Sequence, residues 1–434
     1  MRTFSLRLAM PLCALLLGAC GAKTSSESPP RAEQAPPEKE AKEAPGSVDT
    51  PEAKESAPAP SRPLVFWHAY RGQEKKALEE AVKAFEASQS RIKVRVQAVP
   101  YDPYLDKIAI TIPRGQGPDV FIFAHNMVGA WVEEGLLEPL SSRVEPTLLQ
   151  GMLPQSVKAL VYQQNLYGLP LAFKSLALFY NTSLLAKAPE SMEALVEAVK
   201  PLQNKAKGVH GLVYEAGLLY HHAPWMHAYG ASVFDADGKP ALDTPEQIRA
   251  LNYARSLHAS HGVVPKGMSS FMLTSLFNDA KAVAVLNGPW FRAEISRKDY
   301  AVAPIPTLEG KIPKPYLGIE AVFVSAKSEF KSAASELAAF LAGPEGAKPR
   351  ATLGKQPVCH VATLDEASAQ DPVLAVFKAQ AERSVLMPSR PEMQLMWSTV
   401  DTAINGAVFA GKPAKDVLER AQAKAKADIA RRGE

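Results

Sequence analysis

Apolar runs of strand length alternate with stretches of helical spacing after about residue 63. The run LVFW at residues 64–67 predicts a strand, and apolar positions at helical spacing between residues 78 and 85 predict a helix. Residues 92–96 alternate apolar with polar, and GPDVFIF at residues 117–123 ends in an apolar run, so both segments predict strands. This strand–helix–strand order is typical of a mainly parallel sheet covered by helices.

Two extended segments in the middle of the chain predict a crossing between two lobes. Residues 167–171 and 176–181 are apolar, and a short polar break that contains Lys174 separates them. No Asn-Gly or Asp-Gly pair lies between them, so a crossing fits better than a hairpin. The apolar run at residues 318–325 predicts a strand that carries the chain back.

The rest of the chain continues with both kinds of element and shows no internal repeat. A proline follows Gly288 and predicts the first turn of a helix that contains Trp290. Further strands are predicted at 211–215 and 282–286, and further helices at 191–202, 224–231, 245–261, 271–278, 332–341 and in several segments from 372 to the end.

Length and composition indicate a two-lobed globular protein. The chain has 434 residues, of which 47% are hydrophobic and 22% charged, and this is too long for one compact core. We expect one lobe from residues 64–172 with 319–368, and another from residues 173–318 with 369–434. Lys and Arg number 49 against 45 Asp and Glu, a net charge of +4, and the basic residues are scattered, which argues against a nucleic-acid partner.

The first residues predict an export signal. Arg2 and Arg7 precede an apolar run at residues 8–17 that is too short to span a membrane. LGAC at residues 17–20 resembles the lipobox of bacterial lipoproteins, which predicts a signal peptide at 1–19 and a lipid on Cys20. A plain signal peptide is the alternative. The prediction is a protein anchored by lipid to a bacterial membrane, facing the periplasm or the cell exterior.

Residues 20–63 predict a disordered tether after the signal. This segment is rich in Pro, Glu, Lys and Ala and has no aromatic residue, so it cannot bury enough apolar surface to fold. The chain has three cysteines, and loss of Cys13 with the signal and lipidation of Cys20 leave only Cys359. No disulfide within the chain is therefore expected.

Candidate ligand contacts come from strand ends and from two tryptophans. Ligands of open α/β sheets bind beyond the carboxyl ends of the strands. This rule places four residues at the mouth of the first lobe: Tyr70, Arg71, Phe123 and Asn126. Trp290 and Trp397 lie near or on predicted helices, where each could either bind a ligand by stacking or fill a core.

Several short motifs after the tether occur in the same order and with similar spacing as in one known family. They are GPDVFIFAH at 117–125, YGLPLA at 167–172, LFYN at 178–181, AVLNGPW at 284–290, MP at 387–388 and MW at 396–397. In these motifs the chain resembles the maltose-binding proteins, the oligosaccharide-binding subunits of bacterial ABC importers. The resemblance implies an α/β, two-lobe periplasmic-binding-protein fold, a ligand in the cleft at the hinge, and stacking roles for Trp290, Trp397 and Tyr220.

The polar positions depart from the maltose-binding pattern. Asn126-Met127 replaces an Asp-Arg pair, Lys174 and Leu218 replace two glutamates, and Asp401 replaces an arginine. An Asp-Lys pair after the first strand has no counterpart, although Tyr70 and Arg71 lie there. The resemblance therefore implies a sugar but not maltose in particular, with Lys174 and Asp401 as further candidate contacts.

The predicted function is solute binding, with an ABC permease and its ATPase subunits as partners, no cofactor or catalytic residue, and a monomeric chain. Binding of a charged non-sugar solute through Lys174 and Arg71 is one alternative. A secreted glycoside hydrolase is another, but it needs two facing carboxylates, and the positions that could supply them are Asn126, Lys174 and Leu218.

Three short motifs predict structure rather than chemistry. His221, His222 and His227 lack the i,i+4 pair of a helical metal site. Asp235 and Asp237 begin a segment similar to a calcium loop, but Pro240 and Leu242 stand where ligands are needed, which favours a turn. Cys359 beside His360 does not by itself make a nucleophile and its base.

Overall fold

The computed structural model describes residues 59–101 and 103–433, which belong to one compact unit, Ser56–Glu434. The predicted signal peptide, Cys20 and nearly all of the predicted tether lie outside the described residues. Within the described part, two larger sheets are flanked by helices, and this confirms the α/β class. No helix in this part is both long and apolar enough to cross a bilayer.

The strands of the first sheet are β1 (Leu64–His68), β2 (Val94–Ala98), β3 (Val120–Ala124), β6 (Gly168–Lys174), β11 (Tyr316–Val324) and β12 (Val385–Leu386). They lie in the order β12-β11-β3-β1-β2, and β6 pairs with β11 beside this path. β1 pairs in parallel with both β2 and β3, whereas β11 runs antiparallel to β3 and β6. Most apolar side chains of β1 and β3 are buried, as expected for central strands.

The strands of the second sheet are β7 (Ala177–Asn181), β8 (His210–Val213), β9 (Ala282–Asn287) and β10 (Tyr300–Ala303). They lie in the order β10-β7-β9-β8. All residues of β9 are buried, as expected for a strand covered on both faces. A separate hairpin is formed by β4 (Val161–Tyr162) and β5 (Asn165–Leu166).

Both sheets are mixed, and the prediction of mainly parallel sheets is wrong for the second one. There β7 runs antiparallel to β9 and to β10, and only β8 and β9 are parallel. β7 enters this sheet directly from β6, without a helical crossover. A strand–helix–strand unit makes its two strands parallel, and β7 does not follow such a unit, so it can run antiparallel to its neighbours.

The predicted crossings are confirmed. β6 belongs to the first sheet and β7 to the second, with only Ser175 and Leu176 between them. The chain returns through β10 and β11, and β11 lies beside β6. The two crossing strands therefore meet in the first sheet, next to the junction of the sheets.

Helices cover both sheets and form two apolar cores. The predicted helix at 224–231 starts earlier, at Leu219, so Pro224 lies inside it, and the segment after Gly288 is a 3₁₀ turn, Pro289–Glu294. The helices are α1 (Gly72–Ser88), α2 (Tyr104–Thr111), α3 (Val128–Glu133), α4 (Pro146–Gln150), α5 (Pro154–Lys158), α6 (Met192–Val199), α7 (Leu219–Ala228), α8 (Pro245–Ala259), α9 (Ser270–Asn278), α10 (Lys331–Ala342), α11 (Pro344–Thr352), α12 (Val361–Gln370), α13 (Pro372–Glu382), α14 (Met393–Val408) and α15 (Ala414–Gly433).

Candidate binding site

Four aromatic rings form a continuous cluster, which we call the aromatic row: Trp290, Tyr220, Tyr316 and Trp397. The ring centroid of Tyr220 lies 6.1 Å from that of Trp290 and 6.4 Å from that of Tyr316. The row ends at Trp397, whose ring meets Tyr316 edge to face at 6.2 Å. Tyr316 is buried and the other three are half-buried, so each of these three keeps part of its surface open to a ligand.

Trp290 owes its position to the turn that leaves β9. Asn287 accepts a hydrogen bond from the amide of Gly288 at 2.8 Å, and Pro289 begins the 3₁₀ turn. The indole folds back over Gly288 so closely that a Cβ there would lie 2.0 Å from Cζ3 of Trp290. Only a glycine leaves room for the ring at this place.

Gly288→Ala is therefore expected to displace the Trp290 ring and to weaken binding of the cleft ligand about tenfold or more, as loss of a well-packed contact does. A shift of tryptophan fluorescence and calorimetric titration would measure the two effects. Gly343→Ala is the control, because Gly343 precedes α11, outside the residues of the site, and a Cβ there would come no closer than 3.3 Å to any neighbour. Unchanged fluorescence and affinity in Gly288→Ala would contradict the expectation.

Tyr220 and Trp397 are held in place by a contact between α7 and α14. Asp401 of α14 accepts a 2.6 Å hydrogen bond from the amide of Leu219, the first residue of α7. Asn405, one turn later, donates to the carbonyl of Gly217 at 2.9 Å. Asp401 thus caps the helix that carries Tyr220, which explains why α7 begins before Pro224. Its contact with a ligand stays a prediction.

Asp401→Ala should lower the unfolding free energy by about 1 kcal/mol, because the buried amide of Leu219 loses its acceptor. Urea unfolding would measure this. Asp401→Asn keeps an acceptor oxygen and should recover most of the loss. Equal stability of Asp401→Ala and the unaltered protein would show that the cap has no energetic weight.

A polar network lies beside the aromatic row. Lys174, at the end of β6, donates from Nζ to Oε1 of Glu320 on β11 at 2.8 Å. The hydroxyl of Tyr70 donates to Oε2 of the same carboxylate at 2.6 Å. The Nζ atom of Lys174 also lies 5.9 Å from the ring centroid of Trp290. The network and the aromatic row therefore form one site at the junction of the two sheets.

Charge and burial fix the protonation of this network. Burial alone would lower the pKa of Lys174, but the carboxylates of Glu320 and Glu74 outweigh it and raise that pKa, so Lys174 is a cation. Burial raises the pKa of Tyr70, which keeps its hydroxyl a donor. Burial also raises the pKa of Glu74, which accepts a 3.0 Å hydrogen bond from Gln356.

His125 joins the segments that surround the site. Its Nδ1 accepts from the amide of Ile319 at 2.9 Å, and its Nε2 lies 2.8 Å from the carbonyl of Met387. This pairing fixes a neutral ring with the proton on Nε2. Burial lowers the pKa of His125 to about 4, and the two backbone bonds only partly oppose this. The end of β3, the strand β11 and the segment before α14 are thereby held together.

The other predicted ligand contacts of the first lobe have neighbours outside the aromatic row. Phe123 is half-buried and stacks on the exposed ring of Tyr101, with centroids 6.1 Å apart and planes 5° apart. Asn126 accepts from Gln394 through its backbone oxygen at 2.9 Å. Arg71 is exposed at the start of α1. Phe123 also meets Tyr104 edge to face at 5.6 Å, and its contact with a ligand stays a prediction.

Sequence reasoning missed three residues of this site: Tyr316, Glu320 and Glu74. Glu320 had a signal, because it is the one charged residue in the apolar run of β11. Tyr316 and Glu74 had none, because an aromatic residue in a strand and a glutamate in a first helical turn are both ordinary.

The remaining motifs lie in structural settings. His221 and His222 are buried in α7, and the described residues contain no group of three or more possible metal ligands. Asp235 accepts from the amide of Lys239 at 2.8 Å and so closes a turn on itself. Cys359 is buried, and this raises the pKa of its thiol to about 12, while His360 caps α12.

Comparison with known proteins shows that the chain is similar to solute-binding proteins. The sequence pattern of the family described as "Bacterial extracellular solute-binding protein" matches residues 71–348. A maltotriose-binding protein of Pyrococcus abyssi is 28% identical over 351 residues, which cover 79% of this chain and 76% of that protein. A galactooligosaccharide-binding protein of Bacillus subtilis is 30% identical over 390 residues, covering 84% and 89%.

Two further similarities extend over more of the chain. A maltooligosaccharide ABC transporter solute-binding lipoprotein of Streptococcus pneumoniae is 25% identical over 425 residues, covering 93% of this chain and 92% of that protein. Among solved structures, a cyclo/maltodextrin-binding protein in complex with maltotetraose superposes with a TM-score of 0.76 at 27% identity. That match covers 87% of this chain and 99% of the other.

Proposed function

The chain belongs to the bacterial extracellular solute-binding proteins, and on this basis we propose that it binds an oligosaccharide between two lobes and delivers it to an ABC importer. The relatives named for maltotriose, galactooligosaccharide and maltooligosaccharide support a sugar ligand. Because these sugars differ in monomer and linkage, the proposal names the class of ligand and not one sugar.

The aromatic row is the observation that carries this proposal. A pyranose presents one face of C–H groups, which is readily desolvated against an aromatic ring, and a rim of hydroxyls that need hydrogen-bond partners. Three rings of the row are partly open to a ligand: Trp290, Tyr220 and Trp397. Lys174 and Glu320 stand next to these rings with donor and acceptor atoms. We therefore assign the stacking contacts to the rings and the hydroxyl contacts to the polar network.

The two crossing strands support closure of two lobes around the ligand. We assign residues 64–172 and 319–368 to one lobe and residues 173–318 and 369–434 to the other, although β12 of the latter pairs with β11 of the first sheet. A ligand that contacts both lobes stabilises the closed form, which the permease then recognises. Asn126, Arg71 and Phe123 would contribute from the first lobe, and Asp401 from the second.

We propose further that the protein is a monomeric lipoprotein, anchored through Cys20 and outside the cytoplasm. The LGAC segment at residues 17–20 supports this, and a relative over almost the whole length is named a lipoprotein. Growth with labelled palmitate would test it: label should appear in the unaltered protein and be absent from Cys20→Ala.

Calorimetric titration with maltotriose, galactotriose, their longer homologues and monosaccharides tests the sugar proposal. We expect a dissociation constant in the micromolar range or below for at least one oligosaccharide, which is about 8 kcal/mol of binding free energy. Failure of every sugar to bind at millimolar concentration would overturn the sugar assignment. Release of labelled products from any of these sugars would instead favour a hydrolase.

A further inference from the structure

Two charged groups of the cleft, Lys174 and Glu320, are already paired with each other. Lys174 donates to Glu320, and Tyr70 occupies the second oxygen of the same carboxylate. The side chains of Lys174 and Glu320 are 27% and 12% exposed, so both can still be reached from the cleft. The ammonium group of Lys174 lies at the site, but its charge is already paired, so it is not a free cation for an anionic ligand.

Two further charged groups are bonded to other partners. Glu74 accepts a 3.0 Å hydrogen bond from Gln356. The buried guanidinium of Arg350 donates to the backbone carbonyls of Gly346, Leu171 and Leu341. A ligand carboxylate that is brought beside Lys174 would therefore lose its water without gaining an unpaired cation at this pair, which is costly.

We propose that Glu320, through its bonds to Lys174 and Tyr70, makes this cleft select uncharged sugar units and reject sugars that carry a carboxylate. This inference rests on the proposed oligosaccharide function and adds a specificity-determining residue to it. A sugar hydroxyl both donates and accepts a hydrogen bond, so it can donate to Glu320 and accept from Lys174 at the same time. A carboxylate only accepts and would lie beside the negative charge of Glu320.

The geometry also explains why Glu320 rather than Lys174 decides the selection. Lys174 has three N–H groups, one of which is directed at Glu320, so the lysine can donate to either kind of ligand. The carboxylate of Glu320, which is hydrogen-bonded to Lys174, prevents the lysine from acting as an anion-binding cation. Removal of that negative charge should turn the same site into one that accepts anionic sugars.

The test compares matched ligands on matched variants. Each neutral oligosaccharide that binds is titrated against its derivative in which one C6 CH₂OH group is oxidised to a carboxylate. The unaltered protein should bind the neutral sugar at least about 30-fold more tightly, since a buried unpaired charge costs more than a lost hydrogen bond. In Glu320→Gln the ratio of the dissociation constants of the oxidised and the neutral sugar should fall about tenfold or more. Binding of the oxidised sugar to this variant should weaken as salt is added.

Two further variants separate specificity from folding. Glu138→Gln is the control, because Glu138 is 10% exposed and pairs with Arg143 and Lys331 away from the aromatic row. It should leave the preference unchanged. In Lys174→Met/Glu320→Gln both charges are absent, so the oxidised sugar should gain nothing while thermal unfolding shows a folded protein.

The outcomes distinguish this inference from the function on which it rests. If the unaltered protein binds neutral and oxidised sugars equally, or if Glu320→Gln weakens both to the same extent, the role of Glu320 is overturned and the sugar function stands. If only oxidised sugars bind, the charge argument is overturned. If no sugar binds, the proposed function is wrong and this inference falls with it.

Discussion

The variant Trp290→Ala/Trp397→Ala should bind oligosaccharide at least about 100-fold more weakly than the unaltered protein. Each ring presents a partly open face, and removal of an aromatic platform in a binding site commonly costs about 2 kcal/mol or more. The two rings stand at opposite ends of the aromatic row, so they would contact different sugar units. Calorimetric titration with the tightest-binding oligosaccharide would measure the loss, and each single variant should show part of it.

The control for this prediction is Tyr162→Ala. Tyr162 is a half-buried aromatic residue of β4, its hydroxyl donates to Glu133 at 2.9 Å, and β4 pairs with β5 outside both larger sheets. Its removal should leave affinity unchanged. Thermal unfolding of all variants would show that they are folded. Retained affinity in the double variant would mean that the two tryptophans only fill the core, and the stacking proposal would be wrong.

The unfolding free energy should fall by several kcal/mol as the pH drops from about 7 to about 4.5, in the absence of ligand. Four histidines are almost completely buried: His68, His125, His221 and His222. Burial lowers the pKa of each to about 4, below the ordinary value of 6.5. Between these two values the unfolded chain binds protons that the folded chain does not, so acid favours unfolding. Each histidine would contribute up to roughly 2 kcal/mol at pH 4.5.

Three acidic groups of the described residues work in the opposite direction. Burial raises the pKa of Glu74, Glu215 and Asp401, so the folded chain takes up these protons earlier than the unfolded chain does as the pH falls. Their effect offsets part of the loss of unfolding free energy that the four histidines cause. Urea unfolding at pH 7.5 and 4.5 would measure the difference. His125→Gln keeps an acceptor and a donor for Ile319 and Met387, and its stability should depend less on pH. A difference that is equal in both proteins would contradict the assignment to His125.

Much of the site could be predicted, because its parts lie in patterns that are local in sequence. Trp290 follows a buried strand and a Gly-Pro turn, and Tyr70 and Phe123 follow or end apolar runs. The ends of such runs are where open α/β sheets bind ligands. Lys174 was found for the same reason, since it is the polar break between two extended segments. The departures at Lys174 and Asp401 were visible only because the surrounding motifs matched a known family.

The roles of these residues could not be predicted, because they depend on partners far away in the chain. Glu320 is 146 residues from Lys174 and 250 from Tyr70. Asp401 is 182 residues from Leu219, and its hydrogen bond to the amide of Leu219 caps α7. The helix therefore begins before Pro224 and contains this proline, unlike the predicted helix. Long-range hydrogen bonds of this kind leave no periodic trace in either partner.

The sequence by itself therefore determined the class of fold and the two crossings, and the family resemblance picked out three rings of the aromatic row. Apolar periodicity and the turn residues at strand ends are properties of neighbouring positions, and they suffice for the fold class and the crossings. The direction of β7 and the pairing of Lys174 with Glu320 were decided only by the tertiary structure. Both depend on which strands lie side by side after the chain has crossed between the sheets, and sequence separation carries no information about that.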